Sequence, residues 1–241
     1  MIELEDPMNR RTFVTTLPAL TLLASTASSF AQETPGTTQE LQPISLPKPE
    51  SDGGKSVLAS LQERRTIRNI SAKKLPSQVL SNLLWAAFGV NRQNGSFGKP
   101  GRTAASASNS QEIDLYVALS EGVYRYEAVP HRLAPVVAGD FRARAGRGAA
   151  ATAPVNIFFV ADLTRYHMGS GQPDRNIGNP EVQKSYYYVA TGLMAANVGL
   201  FAASQGLAAW FHNCNREAAA KEFKLRPEQR VLFAQTVGYP A

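Results

Sequence analysis

Hydrophobic residues recur at helical spacing in several parts of the chain and predict helices there. Residues 76–89 have an apolar stripe at i, i+3 and i+4 positions, with Pro76 at its start and Gly89 at its end. Residues 186–205 carry the longest such pattern, and their other positions are mostly alanine, glycine or larger apolar residues. We therefore expect this long helix to be buried nearly all round and to form part of a dimer. Shorter helices are predicted over residues 56–65, 140–151 and 216–223.

Other segments have the alternating or continuous apolar pattern of strands. Strands are predicted over residues 113–119, 122–126, 155–161 and 231–237. The first two are separated by Ser120-Glu121, which indicates a hairpin, and the third is apolar on both faces, which indicates a central strand. Residues 207–215 are expected to form a short extended connection.

Residues 163–184 contain glycine and proline but no apolar period. Long irregular inserts of this kind often serve as lids or binding loops, and a partly disordered excursion has the same composition. The sequence leaves both interpretations open.

The N-terminal residues have the pattern of a cleavable export signal. Asn9-Arg10-Arg11-Thr12-Phe13 precedes a moderately apolar stretch that ends in small residues at Ser29 and Ala31. The paired arginines favour a twin-arginine signal over residues 1–31. An ordinary Sec signal that happens to contain two arginines is the alternative. The stretch is too short and too polar for a stable membrane span. We therefore expect a periplasmic or otherwise exported protein.

The residues on either side of this signal lead to the domain boundaries that we predict. Residues 1–7 precede a natural-looking start at Met8, so they are either native or an upstream misassigned start or added tag. Residues 32–54 are rich in proline, glycine and serine and predict a linker or a surface arm. The folded domain is expected over residues 55–241.

Composition and charge exclude several classes of function. Hydrophobic residues make up 44% of the 241 residues, enough for one sizeable core. The formal net charge of +6 is spread widely, and the cluster of Arg142, Arg144 and Arg147 lacks aromatic residues, which argues against nucleic-acid binding. The single cysteine, Cys214, excludes an intrachain disulfide, and the three histidines lack metal-ligand spacing.

Two polar segments are candidates for cofactor binding. Arg64, Arg65, Thr66 and Arg68 follow the first predicted helix, and guanidinium groups with a hydroxyl can clamp a phosphate. A solvated surface run has the same composition. Residues 106–111 are small hydroxyl, methyl and amide side chains that lead directly into a predicted strand. Such a slender loop can approach a flat heteroaromatic ring, and it is equally typical of a solvated loop.

Taken in order, these segments resemble the FMN-dependent nitroreductase superfamily, particularly the branch that includes SagB-type dehydrogenases. The resemblance covers residues 56–239 and includes the long helix that ends at Gly206-Leu207 and the final Val237-Gly238-Tyr239. It implies an α+β fold, an antiparallel sheet flanked by helices, and an intertwined homodimer with two FMN sites between the subunits. The helix pattern includes Gly192, Asn197, Leu200 and Ala203, whereas Thr191 stands where a carboxylate is common.

The resemblance also implies roles for individual residues. Arg64 and Arg68 match positions that hold the FMN phosphate and approach the pyrimidine edge, with Thr66 between them and Arg65 adding charge. The loop matches a PSSxNSQ-type segment that reaches the flavin from the other subunit, with Ala105 in place of proline. Asn213 and Cys214 stand where backbone N–H groups approach flavin N5, and Trp210 and His212 face the substrate side. By themselves, Cys214 is typical of a small buried apolar residue, and His212 is either a proton donor or a histidine whose ring nitrogens are already bonded. The loop residues carried over are Ser106, Ala107, Ser108, Asn109 and Gln111.

The implied activity is a ping-pong hydride transfer through flavin N5 to a nitroaromatic, quinone or other electron-poor acceptor. No side-chain nucleophile and no metal are expected. Because nicotinamide cofactors are not normally maintained outside the cytoplasm, a redox partner could supply the electrons. A SagB-like dehydrogenase or oxidase acting on an exported substrate is an alternative. The chain departs from the family pattern at Ala105 and Thr191, and it ends at Ala241 without the basic C-terminal segment that some relatives use to bind the phosphate. These departures leave open a flavin carrier, a sensor or a non-catalytic interaction module.

Overall fold

The apolar segments of the chain pair into an antiparallel sheet of seven described strands. A computed structural model describes residues 40–167 and 177–241. The predicted export signal, the first part of the predicted linker and the middle of the predicted insert lie outside these residues. The strands are β1 (Ile44–Ser45), β2 (Val90–Arg92), β3 (Gly101–Arg102), β4 (Ile113–Ala118), β5 (Gly122–Glu127), β6 (Arg132–Ala138), β7 (Val155–Asp162), β8 (Ala208–His212) and β9 (Gln229–Gly238). The order in the large sheet is β1-β6-β5-β4-β7-β9-β8, and β2 and β3 pair separately.

Helices cover both faces of this sheet, which confirms the α+β class that the resemblance implied. They are α1 (Val57–Glu63), α2 (Ser77–Phe88), α3 (Ala149–Thr152), α4 (Pro180–Ser204) and α5 (Arg216–Glu222). On one face, Leu115 and Phe159 pack with apolar residues of α2 and α4. On the other face, Tyr116 and Phe158 pack against Phe223, which follows α5. Among the described helices, none combines the length and the apolar character that a helix needs to cross a bilayer.

Strand β7 lies in the interior of the sheet, as its continuous apolar pattern predicted. All eight of its residues are buried, and it pairs with β4 on one side and β9 on the other. The hairpin predicted from residues 113–126 is also present, since β4 and β5 pair directly. Burial on both faces therefore explains why this segment lacks alternating polar residues.

The helix predicted over residues 186–205 starts earlier than its apolar pattern indicated. It begins at Pro180, and the side chain of Asn179 caps it by accepting a hydrogen bond from the Glu181 amide (2.9 Å). The first turn and a half carries exposed polar residues and hence no apolar stripe. Because α4 begins at Pro180, the last residues of the irregular insert predicted over residues 163–184 belong to this helix. The first residues of the predicted insert form a 3-10 helix (Leu163–His167).

Burial of α4 on nearly all sides was a wrong prediction for the single chain. Tyr188, Val189, Leu193 and Ala196 form an exposed stripe along the helix, with Val189 61% exposed. An apolar pattern reports which residues avoid water, and it does not report whether the same chain or another molecule covers them.

The helix predicted over residues 140–151 is also mostly absent. A short 3-10 helix (Arg142–Arg144) is separated from α3 by Gly148, whose φ of +59° breaks the helical path. Arg142 and Arg144 form ion pairs with Asp140 and Glu222, so they stabilise a turn and not a continuous helix.

The predicted start of the domain at residue 55 needs correction. Residues of the predicted linker pack on the domain, because β1 pairs with β6 and the side chains of Leu41, Ile44 and Leu46 contact the main core. The proline and glycine content left a linker and a surface arm open, and residues 41–46 form a surface arm that a few well-spaced apolar side chains hold in place. Strand β6 was not predicted, and β8 was predicted only as an extended connection.

His131 fixes this arm to the domain through a chain of hydrogen bonds. The Ser81 hydroxyl donates to the Pro47 carbonyl and therefore accepts from His131 Nε2 (2.7 Å). Nδ1 of the same ring then accepts from the Tyr126 hydroxyl (2.9 Å). The neutral imidazole satisfies all of these bonds, and burial lowers the pKa of His131, which favours that form.

We predict that acid weakens the fold partly through His131. Because the pKa of His131 is lower in the folded chain, the unfolded chain binds more protons once the pH falls below about 6.5. The free energy of unfolding should therefore fall with pH in this range and be unaffected above it. His131→Gln should flatten the dependence in urea unfolding at pH 7 and pH 5. An unchanged slope would contradict this role.

Candidate functional site

The basic segment at residues 64–68 lies between β8 and the end of the chain. The Ile67 amide donates to the Ala209 carbonyl of β8 (3.1 Å). Ile70 pairs with Pro240, and the Ser71 amide donates to Tyr239 (2.8 Å). These bonds fix the backbone just after α1, so the arginine side chains of this segment extend from a backbone that is held in place.

Arg64, Arg65 and Arg68 are exposed, and no carboxylate in the described part of the chain forms an ion pair with them. Thr66 is exposed between them. Arg64 and Arg65 line a cleft of about 540 Å³ that is completed by the end of α4 and by Pro240. Guanidinium groups without a protein anion can bind an anion from solution, and bidentate bonds to phosphate are their strongest such contact.

Arg68 belongs to a small stack on β8. Its guanidinium carbon lies 5.6 Å from the centroid of the Trp210 ring, and the Trp210 and His212 ring centroids are 4.1 Å apart. The structure thus brings together three of the residues that the sequence analysis placed near the flavin. Stacking on indole orients the Arg68 guanidinium without neutralising it.

His212 has both ring nitrogens in contact with oxygen atoms. Nε2 lies 2.8 Å from the Thr236 hydroxyl, which itself donates to Asn156, and Nδ1 lies 2.8 Å from the Asn213 carbonyl. Burial lowers the pKa of His212, and the hydrogen bond to the Asn213 carbonyl opposes this shift. Because the Thr236 and Asn213 oxygens both accept here, the two contacts together need an N–H on each ring nitrogen. These contacts favour a role in holding the end of β8 over a role as a free proton donor.

Asn213 and Cys214 continue from β8 towards α5. The Asn213 side-chain oxygen accepts a hydrogen bond from Arg216 (3.2 Å), and both residues line a shallow cleft at the start of α5. Burial raises the pKa of the Cys214 thiol to about 11, so the thiol is protonated at neutral pH. This supports the interpretation of Cys214 as a small apolar residue that lacks nucleophilic character.

The small-residue loop at 106–111 has a constrained backbone. Ser108, Asn109 and Gln111 have φ values of +48°, +50° and +54°, in the left-handed region that residues other than glycine seldom adopt. The Ser106 hydroxyl accepts a hydrogen bond from the Gln111 amide (2.9 Å). Ser106, Ser108 and Asn109 line a cleft of about 560 Å³. Ala107 is half-buried beside them.

The side chain of Gln111 turns inward, away from the role that the resemblance implied for it. Its Nε2 donates to the carbonyl of Pro100 (2.8 Å) and to Asn109 (2.9 Å), and its Oε1 accepts from Arg102 (2.8 Å). With 6% of its surface exposed, Gln111 supports the loop from within. Composition alone could not reveal this, because an amide that binds a ligand and an amide that braces a loop look the same in sequence.

Within one chain, the two candidate segments line separate clefts. None of the residues around the Arg64 cleft lines the loop cleft. The sequence analysis expected the loop to reach the flavin of the other subunit, and this separation is compatible with that arrangement. The described residues contain no cluster of three or more histidine, cysteine, aspartate or glutamate side chains that could hold a metal ion.

Comparisons with known proteins identify the family and the fold. Residues 61–239 match the model of the nitroreductase family. A candidate nitroreductase of Methanocaldococcus jannaschii is 28% identical over 183 residues, which are 71% of this chain and 82% of that protein. The crystal structure of a candidate nitroreductase from Ralstonia eutropha is similar with a TM-score of 0.73 and 35% identity, covering 83% of this chain and 90% of that one. Nitroreductase A from Vibrio parahaemolyticus shares the fold, with a TM-score of 0.51 at 19% identity over 77% and 68% of the two chains.

Proposed function

The chain belongs to the nitroreductase family, and from this premise we propose that it is an oxidoreductase that depends on FMN. The observation that carries the proposal is the set of exposed, unpaired arginines on a rigid segment beside a cleft. A bound phosphate would supply the negative charge that these guanidinium groups lack within the described part of the chain. The residues present therefore fit a flavin phosphate.

Individual residues have distinct parts in this proposal. Arg64, Arg65 and Thr66 hold the phosphate, and Arg68, oriented by Trp210, faces the N1/O2 edge of the isoalloxazine ring. A cation there stabilises the negative charge of reduced flavin. Ser106, Ala107, Ser108 and Asn109 contact the ring from the other subunit, while Gln111 acts only through the loop.

We propose that the active form is a homodimer. Helix α4 has an exposed apolar stripe, and α1, which packs against α4, has exposed apolar residues of its own. Leu58 on α1 is 78% exposed, and Val57 and Leu61 are also exposed. An apolar face of this extent favours association with a second copy, which would also bring the loop of one chain to the arginines of the other.

When bound, FMN supplies the redox chemistry, in which N5 accepts a hydride and passes it to an electron-poor acceptor such as a nitroaromatic or a quinone. The protein residues bind and orient the ring and leave its reactive side open. The protonated Cys214 thiol takes no covalent part, and the backbone N–H groups of Asn213 and Cys214 would approach N5 of the bound flavin. The acceptor alternates with the reductant at the same face, as a ping-pong mechanism requires.

The source of the electrons follows from the location of the protein. If the proposed twin-arginine signal directs export, the periplasm offers no maintained pool of nicotinamide cofactor, and a redox partner supplies the electrons. A SagB-like dehydrogenase or oxidase acting on an exported substrate would need no such partner. NADH or NADPH is the expected donor only if the protein stays in the cytoplasm.

The decisive test is the absorbance spectrum of the purified protein followed by anaerobic titration with NADH and NADPH. We expect a yellow dimer that releases FMN on denaturation. Prompt bleaching would identify a classical nitroreductase, whereas a flavin inert to both nucleotides would indicate a partner or another substrate. A colourless protein that fails to take up added FMN would contradict the proposal and favour a non-catalytic module.

A further inference from the structure

Arg165 lies at the start of the insert predicted over residues 163–184, and it was not among the candidate binding residues, yet it contacts the small-residue loop directly. It belongs to the 3-10 helix that follows β7, and its side chain is 26% exposed. Its Nη1 donates to the backbone carbonyl of Gln111, and its Nη2 donates to Asp114 of β4 (2.6 Å). The guanidinium therefore joins the end of the loop to the sheet.

The Gln111 carbonyl belongs to a residue whose contacts fix the backbone of the loop. Gln111 has a left-handed φ of +54°, and its amide is bound to the Ser106 hydroxyl at the other end of the loop. Left-handed backbone persists at such residues only where surrounding contacts hold it. With its amide, carbonyl and side chain all engaged, Gln111 fixes the path of residues 106–111.

Two further cations approach the loop from the protein side. Lys99 donates to the Ser110 carbonyl (3.1 Å), and Arg102 donates to the Gln111 side chain (2.8 Å). Burial, with Arg165 close by, lowers the pKa of Lys99. Ser110 is fully buried and donates to Glu112 (2.6 Å). The inner side of the loop is thus held by charged groups, which form stronger hydrogen bonds than neutral ones.

Arg165 differs from its charged neighbours because it alone joins the loop backbone to a carboxylate of the sheet. Asp114 is 8% exposed, and its Oδ2 has no partner among the described residues, so Arg165 is its principal counter-charge. Arg226 bonds to Asp162 (2.6 Å), whose carboxylate also lies 3.9 Å from Arg165 Nε, and Arg226 has no described contact to the loop. The chain therefore offers its own matched control.

We propose that Arg165 is a positioning residue for flavin binding, which holds residues 106–111 in the strained conformation that receives the isoalloxazine ring. The inference rests on the proposed function and adds to it a residue that contacts no flavin. Lysine at this position keeps the charge but cannot bond to the Gln111 carbonyl and Asp114 with the same planar fork. The loop would then relax towards ordinary backbone conformations before FMN binds.

The test compares Arg165→Lys with Arg226→Lys in the otherwise intact protein. Titration of the apoprotein with FMN should give a dissociation constant about tenfold higher for Arg165→Lys and within about twofold of the parent for Arg226→Lys. Asp114→Asn should shift the constant in the same direction as Arg165→Lys. Hydrogen exchange of the apoprotein should speed up at the Asn109, Ser110 and Gln111 amides in Arg165→Lys only, with β4 unchanged.

Each outcome separates this inference from the proposed function. If the parent protein does not bind FMN, the proposed function fails, and the exchange rates still report whether Arg165 holds the loop. If the parent binds FMN and Arg165→Lys binds it equally well, the positioning role is refuted. If both lysine variants lose affinity and thermal stability together, Arg165 has only a general structural role, and the inference is also overturned.

Discussion

Replacing Arg64 with alanine should weaken FMN binding by about 100-fold or more. Hydrogen bonds to charged groups contribute about 1.5–3 kcal/mol each, and a bidentate guanidinium–phosphate contact makes two of them. Arg64 follows α1 directly. Its aliphatic part lies close to Gly199 of α4, because a Cβ atom added to that glycine would be only 3.8 Å from Arg64 Cδ. The aliphatic part of the side chain therefore lies against α4, and the residue as a whole lines the cleft. Fluorescence quenching of FMN by the apoprotein measures the loss.

Arg132→Ala is the control, because Arg132 is also exposed, lies on β6 towards the edge of the sheet opposite β8, and its replacement removes the same charge. We expect its FMN affinity to stay within about twofold of the parent, since a distant surface charge contributes little at physiological ionic strength. Equal losses in both variants would show that net charge alone attracts the cofactor. Unchanged affinity in Arg64→Ala would remove this residue from the phosphate site.

The sequence alone predicted the parts of the fold in which local pattern and burial agree. Strand β7 is continuous and apolar because both of its faces are covered, and α2 has a clear stripe between Pro76 and Gly89. The Arg64–Arg68 segment was found because its composition is unusual for the end of a helix. In each case, the physical cause of the pattern lies within a few residues of the pattern itself.

The sequence could not predict features that depend on contacts between distant residues. Arg165 is 54 positions from Gln111, and Asn197 of α4 donates to the Thr103 carbonyl across 94 positions. Nothing in the neighbourhood of either residue indicates its partner. Strand β6 was missed for a related reason, since it borders the short arm strand β1 and its outward residues include Arg132 and Pro135.

The second large effect that we expect is loss of the proposed dimer when the exposed stripe of α4 receives a charge. Val189→Arg should convert the proposed dimer to a monomer and abolish retention of FMN, although Arg64 and the loop are unchanged in each chain. Val189 is 61% exposed in the single chain, so the folded chain can accommodate arginine. Burial of an unpaired charge against a second apolar face costs several kcal/mol, which raises a dimer dissociation constant by about 100-fold or more. Size-exclusion chromatography with multi-angle light scattering measures the mass, and absorbance measures the flavin.

Val129→Arg provides the matched control, because Val129 is 65% exposed in the turn between β5 and β6, outside the α1 and α4 face. The same change of residue there should leave both mass and flavin content at parent values. The two measurements must change together in Val189→Arg if the loop of one chain and the arginines of the other enclose one flavin. A monomer that keeps its FMN would show that each chain binds the cofactor alone, and the separate clefts of Arg64 and Ser108 would then need another explanation.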